Sequence, residues 1–390
     1  MEKQKNIPQL RFPEFEGEWD KKMINDTCTI VGGGTPESGK DEFWNGNIQW
    51  FTPTEIKMDY VSKSERTITE LGLKKSSARL LPKGTILLTS RATIGEVAIA
   101  LNECTTNQGF QSLIVNKSFN SIFIFNWIKN NRNQFIRRAN GSTFLEISKS
   151  EIGTIQIFTP SLPEQKKIAS FFTAIDQKIF QLKRKKTLLE QYKKGVMQKI
   201  FSQEIRFRGD NGHEFPKWEK RKIRELFRVT RGNVLATNNL KSEKEFAFCY
   251  PVYSSQTTNN GLLGYYNDYL FEDCITWTTD GANAGDVNYR KGKFYCTNVC
   301  GVLESKEGYA NQCIAEILNS IAKRHVAYVG NPKLMNNVMA GIEINIPASI
   351  TEQIKISNFL SAIDDKINHT QKQVEKAEVW KKGLMQQMFC

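Results

Sequence analysis

The chain has 390 residues, 39% of them hydrophobic, and its 54 basic against 41 acidic residues leave a net charge of +13. That length predicts two or three domains with their own cores, and the charge favours a polyanionic partner, nucleic acid first. No run of about 20 apolar residues is present to span a membrane, and the opening MEKQKNIPQL lacks a signal peptide's apolar core, so the sequence predicts a soluble cytoplasmic protein.

In chain order, the first landmark is F-P-x5-W at Phe12–Trp19, running into EWDKKMINDT from Glu18. GTPESGKD, Gly34 to Asp41, comes within one residue of a phosphate-binding loop. Asp41 stands where that loop needs a hydroxyl for magnesium. The aromatic, glycine-broken EFWNGNIQWF that follows is a poor start for the helix that would cradle an anion. Nucleotide binding is not expected there. TILLTSRATIGEVAIA predicts two short apolar strands around a polar turn, with Gly95 at the break. SIFIFNWIKNN predicts a helix and GSTFLEISKS a polar loop.

Ser161 to Phe201 predicts one long helix. Ser161-x-x-Glu164 reads as a capping box, with the glutamate reaching back to the backbone, and Pro163 suits the first turn. Ile168, Phe172, Ile175, Ile179, Leu182 and Leu189 follow at heptad spacing.

The order then repeats. KWEKRKIREL from Lys217 echoes EWDKKMINDT, and CITWTTDGANAGDVNY answers the first strand–turn–strand, with GDV at Gly285–Val287 matching GEV at Gly95–Val97. ANQCIAEILNSIA predicts a second domain helix. Ser349 to Phe389 restates Ser161 to Phe201 without a gap. Eighteen of 41 positions are identical, far above chance, so the chain is an internal duplication. The second seam is Ile356, Leu360, Ile363, Ile367, Val374 and Leu384. Lys186, Lys193, Thr370 and Lys381 interrupt the two frames, as register-fixing polar positions do. A helix of about 38 residues is roughly 57 Å long, longer than a domain of this size. The two helices are therefore expected to pair with each other, the alternative being that each packs on its own domain.

Catalytic patterns are missing. The E-x-K runs at Glu55–Lys57 and Glu164–Lys166 lack a nuclease partner, and His213, His325 and His369 are scattered. Asn331-Pro332-Lys333 lacks the second proline and the aromatic of an amino-methyltransferase motif. Cys296 and Cys300 have no second close pair to complete a zinc site. No catalytic residue and no metal site is expected.

E-Q-x-K-I-x-x-F-(F/L)-x-A-I-D opening each repeat and K-K-G-(V/L)-M-Q closing it resemble the specificity subunit of type I restriction–modification systems. Pro82–Gly95 and Trp277–Val287 add supporting matches. The resemblance implies an α+β protein with two α/β target-recognition domains, separated by two long antiparallel helices that form a coiled-coil spacer with pseudo-two-fold symmetry. The implied division is 1–160 and 206–348 for the recognition domains, and 161–205 and 349–390 for the helical spacers. It also implies that each domain reads one half of a bipartite, asymmetric double-stranded DNA target. The helices would set the gap and dock two methyltransferase subunits, which methylate adenine. Motor–nuclease subunits would join for restriction. S-adenosylmethionine, ATP and magnesium would belong to those partners, with no cofactor in this chain. The alternative is a DNA-binding regulator or scaffold outside restriction that uses the same spacer coil.

Direct readout needs Arg or Lys for guanine and Asn or Gln for adenine, projecting from loops. In the first domain the candidates are Thr89, Ser90, Arg91 and Thr93 at the turn between strands, with Gln108. Ser142 and Lys149 are candidates for backbone contact. In the second domain they are Thr279, Asp280 and Asn283 at the corresponding turn, with Ser254, Ser255, Gln256 and Lys333. Turn residues of this kind also cap strands, and Asp280 is placed to form an Asx-turn with Gly281.

Overall fold

The structure is a computed structural model that describes residues 6–141, 145–256 and 258–390. The chain divides into two units, one built from residues up to Lys183 together with Lys372–Cys390, the other from Arg184–Gln371. The long helices are Leu162–Phe201 and Ile350–Met388, so each unit contains part of both.

The first unit contains β1 (Asp20–Met23), β2 (Cys28–Gly32), β3 (Trp44–Phe51), β4 (Tyr60–Val61), β5 (Arg66–Ile68), β6 (Ile86–Leu88), β7 (Val97–Ala100), β8 (Cys104–Thr106), β9 (Gln111–Val115) and β10 (Gln156–Thr159). They form a five-stranded sheet in the order β2-β9-β6-β7-β4, a three-stranded sheet β5-β3-β8, and the pair β1-β10. Every residue of β6 and β7 is buried, which explains why their sequences are unbroken apolar runs rather than alternating ones. A helix at Ser121–Asn130 packs on this core, with the Asn120 side chain accepting from the Ile122 and Phe123 amides. The near-match to a phosphate loop runs into a short 3-10 turn at Asp41–Phe43 and then β3, so no helix follows it.

The second unit contains β11 (Glu219–Lys222), β12 (Arg228–Arg231), β13 (Tyr250–Tyr253), β14 (Leu262–Tyr266), β15 (Phe271–Thr278), β16 (Val287–Cys296), β17 (Cys300–Glu304) and β18 (Glu343–Ile346). Its main sheet runs β12-β17-β15-β16-β13-β14, beside the pair β11-β18. Its domain helix is Gln312–Ala322, capped by Asn311. Cys296 and Cys300 are buried with Cys274 and Phe294 in one apolar cluster. Burial pushes the Cys300 thiol up to about 11 and Cys296 higher still, which makes them inert packing residues.

The Glu–Gln pair that opens each long helix locks it to its unit. The predicted capping box gives way to a different use of the glutamate. Glu164 is buried and takes Arg11 Nε at 2.8 Å and Nη2 at 2.7 Å, with Trp19 Nε1 at 3.3 Å. Gln165 accepts from the Asn120 amide at 2.9 Å and donates to the Pro160 carbonyl at 2.9 Å. In the second unit Glu352 takes Arg206 at 2.9 Å and Trp218 Nε1 at 3.3 Å. Gln353 there accepts from Asn311 Nδ2 and donates to the Pro347 carbonyl, both at 2.8 Å. Phe12 packs edge-on to Phe171, and Phe207 to Phe359. Phe12 and Trp19 of the first landmark, and Phe207 and Trp218 in the second unit, are therefore anchoring groups of the helix that follows each domain.

Within each unit the two helix segments run antiparallel. In the first, Asp176 pairs with Lys381 at 2.6 Å and Lys183 with Glu378 at 2.6 Å, partners falling in number as the helix rises. In the second, Lys193 pairs with Asp364 at 2.9 Å and with Glu316 at 2.6 Å. Burial works against the Lys193 charge, but Glu316 and Asp364 outweigh it and hold the ammonium above its ordinary value. The aspartate of A-I-D and the lysine of K-K-G thus pair reciprocally, once in each unit. Ile168, Phe172, Ile175, Ile179, Ile356, Leu360, Ile363, Val374 and Leu384 are buried, whereas Leu182, Leu189 and Ile367 are half-buried. Both expectations for the helices are met at once. Phe172 stacks on Phe389, just past the end of the other helix, and Phe389 also meets Phe123 of the domain helix.

Candidate nucleic-acid interface

The strand–turn–strand of each unit presents its turn against a second segment. In the first unit the Asn140 and Glu146 backbones exchange two hydrogen bonds of 2.9 Å, and the Ile147 amide donates to the Ser90 carbonyl at 3.1 Å. Arg91 lies opposite Glu146 and pairs with it at 2.8 Å. In the second unit Ala327 and Lys333 exchange the equivalent bonds, the Leu334 amide donates to the Thr279 carbonyl at 2.9 Å, and Asp280 pairs with Lys333 at 3.8 Å. The framework is the same and the sign of the ion pair is reversed. Gly95 and Gly285 both have positive φ, and a Cβ there would meet Arg132 at 2.8 Å or Val326 at 2.9 Å. These positions admit only glycine without a shift.

This geometry sorts the candidates. Thr89, Ser90 and Thr279 are buried and leave the reading surface. Thr89 Oγ1 donates to the Thr93 carbonyl at 2.5 Å and accepts from the Glu96 amide at 3.0 Å, closing the turn from inside. Thr279 Oγ1 sits 2.9 Å from the Val299 carbonyl and 2.7 Å from Asp280 Oδ2. The Asp280 carboxylate therefore meets Thr279 and Lys333 rather than closing an Asx-turn. Ser90 and Thr93 each bury a hydroxyl that finds no partner among the described residues. Arg91, Gln108, Lys149 and Lys333 are exposed. Gln108 accepts from Thr35, and Lys149 opens a short helix capped by Ser148. Ser142 lies outside the described residues.

Ser254, Ser255, Gln256 and Asn283 are half-buried. Ser254, Gln256 and Asn283 come together on the wall of one polar cavity of about 230 Å³ in the second unit. Ser254 accepts from Thr297 at 3.0 Å, and Gln256 donates to the Leu262 carbonyl.

Two features escape the sequence reading. Arg290 faces the same cavity from β16, in a stretch, NYRKGK, that carries no motif. Tyr328 and Val329, at the tip of the Ala327–Lys333 loop, are 68% and 98% exposed. Gly and Pro around them signal a turn but not an apolar tip.

The Arg91 ion pair is about half-exposed, and such pairs contribute about 0–1 kcal/mol. Arg91→Ala is therefore expected to leave thermal unfolding nearly unchanged. If Arg91 is a nucleic-acid contact, its loss weakens binding and not folding. An unfolding shift as large as that of a core substitution would assign Arg91 to the scaffold instead.

Among the described residues no helix is long and apolar enough to cross a membrane. The sequence model described as "Type I restriction modification DNA specificity domain" matches residues 16–191 and again 216–378. The type I restriction enzyme MjaIX specificity subunit of Methanocaldococcus jannaschii is 30% identical over 386 residues, which is 92% of this chain and 89% of that one. The EcoR124I/EcoR124II specificity subunit of Escherichia coli is 29% identical over 174 residues, 43% of each chain. Among solved structures, the S subunit of a type I restriction–modification system from M. genitalium aligns with a TM-score of 0.68 at 18% identity, covering 98% of this chain and 99% of that one.

Proposed function

From the membership of this chain in the type I restriction–modification DNA specificity family we infer that it is the DNA-recognition subunit of such a complex and is not itself a catalyst. The observation that carries this reading is the double match of the family model, to 16–191 and 216–378, on two units that repeat one anchoring scheme while reversing the charges at the candidate reading surface. Two like frameworks with unlike exposed residues suit two tasks of one kind on different ligands.

In this reading residues 1–160 and 206–348 each read one half of a bipartite, asymmetric duplex target, and 161–205 with 349–390 set the gap. Two methyltransferase subunits dock on the helices. S-adenosylmethionine resides with them, and ATP and magnesium with the motor–nuclease subunits. The complex works in the cytoplasm, where its DNA is. The chain's +13 charge supplies the sequence-independent attraction to phosphate. Arg91, Thr93, Gln108, Lys149, Ser254, Ser255, Gln256, Asp280, Asn283 and Lys333 are the residues assigned to DNA, and Tyr328 and Val329 join them as apolar contacts for thymine methyls.

The test is biochemical. The purified chain, supplied with S-adenosylmethionine or with ATP and magnesium, is expected neither to methylate nor to cleave DNA. Mixed with a methyltransferase subunit of the same system, it should form a stable complex that methylates adenine at one sequence. Turnover by the chain alone would overturn the reading, as would a methyltransferase that ignores it.

A further inference from the structure

The second unit places a half-buried cation where the first has an alanine. Arg290 projects from β16 into the cavity that also holds Gln256 and Asn283. Its guanidinium carbon lies 3.7 Å from the centre of the Tyr253 ring. Nε donates to Thr276 Oγ1 at 3.0 Å and Nη2 to the Asn260 carbonyl at 2.7 Å. None of these partners is a carboxylate. The acidic residue on the cavity wall, Asp286, pairs with Lys323 at 2.6 Å. Burial pushes the Arg290 guanidinium below its ordinary value, the mark of a charge short of compensation.

Such a placement costs stability. Arg290 is half-buried, and a cation withdrawn from water without an opposite partner loses stability, which stacking on a tyrosine offsets only in part. A local rule broken without compensation inside the fold points to a ligand that supplies it. The framework alone does not need the charge. In the register of the first unit, Ala100 lies opposite Thr85 as Arg290 lies opposite Cys274, and that alanine is buried.

We propose that Arg290 is a specificity-determining residue of the second unit and that its partner is the O6/N7 edge of a guanine. This rests on the DNA-recognition reading above. Guanidinium donates only, so the partner must offer acceptors, and both phosphate and guanine do. The rest of the wall decides between them. A phosphate presents acceptors alone and favours further cations, but among the described residues Arg290 is the one Lys or Arg lining this cavity, and Gln256, Asn283 and Asn288 offer acceptors as well as donors. A mixed wall suits a base edge, where donors and acceptors alternate. The stacked ring and two fixed hydrogen bonds hold the guanidinium plane, as a bidentate contact requires.

The experiment uses the full chain assembled with its methyltransferase subunits and compares Arg290→Met and Arg290→Lys with the unaltered protein. Adenine-methylated motifs are mapped, and the thermal midpoint of each assembly is measured. The expected result for Arg290→Met is an unchanged or raised midpoint. With it, one guanine position in one half-site becomes degenerate, with discrimination falling on the order of 10-fold or more, while the other half-site is unaltered. Arg290→Lys should recover part of the rate but not the guanine preference. A lowered midpoint with an intact motif would make Arg290 a structural residue and overturn the proposal. So would uniformly slower methylation of an unchanged motif, which indicates phosphate, or half-sites in which no guanine is affected. If the unaltered assembly methylates no bipartite motif at all, it is the DNA-recognition reading that fails, and the Arg290 proposal falls with it for that separate reason.

Discussion

Exchanging residues 206–348 for the matching stretch of a related specificity chain changes one half of the methylated sequence and leaves the other as it was. The expectation rests on how the second domain is attached. Arg206, Trp218 and Asn311 from this stretch hold Glu352 and Gln353 at the head of the second long helix, so a donor stretch must keep those three residues. Everything that differs between the two reading surfaces lies elsewhere, on the turn, the segment against it and the cavity wall. With about 1–3 kcal/mol for each mismatched base pair, two altered positions reduce methylation of the old sequence on the order of 100-fold. Motif mapping before and after the exchange reads this directly. A change in both half-sites would mean that the recognition surfaces are not confined to their own domains.

The other large effect is on stability. Glu164→Ala is expected to destabilise the first unit by about 3–5 kcal/mol, the cost of breaking a buried ion pair from one side. Its carboxylate is 2% exposed and the Arg11 side chain 14%, so the arginine regains little water when its partner goes. The buried Trp19 loses its acceptor as well, a further contribution of about 1–3 kcal/mol. Glu352→Ala should cost less, because Arg206 is 24% exposed and Trp218 is only half-buried. Amide hydrogen exchange resolved by unit is the measurement. Protection should fall in the first unit for one variant and in the second for the other. Losses below about 1 kcal/mol in both, the range of exposed pairs, would remove these glutamates from the account of what anchors the helices.

What the sequence made legible was local or periodic. The heptad seams located both long helices, apolar runs located β6 and β7, and GEV with GDV located two equivalent turns. What stayed hidden was contact between residues far apart in the chain. Arg91 and Glu146, or Asp280 and Lys333, meet only because a loop folds back on the turn, and no local spacing encodes that. Lys193 and Lys381 look like interruptions of a seam until the opposite helix supplies Asp364 and Asp176. Glu164 has the right neighbours for a capping box, and the competing partner, Arg11, lies outside the window in which caps are read. Burial takes Thr89, Ser90 and Thr279 off the surface, for a related reason. Polarity at a turn is needed both to satisfy the backbone and to meet a ligand, and only burial separates the two uses. Arg290 is the reverse case, a residue without a motif whose significance comes from the ring beneath it and the carboxylate it lacks.

The central claim is that this chain confers a bipartite DNA sequence on enzymes that it does not itself contain. Genome-wide mapping of methylated adenine, in cells carrying the methyltransferase subunit with and without this chain, tests it most directly. The account predicts one motif made of two fixed half-sites around a gap of constant length and indifferent sequence, present only when the chain is present. Methylation that persists without the chain, or a single uninterrupted motif, would contradict it.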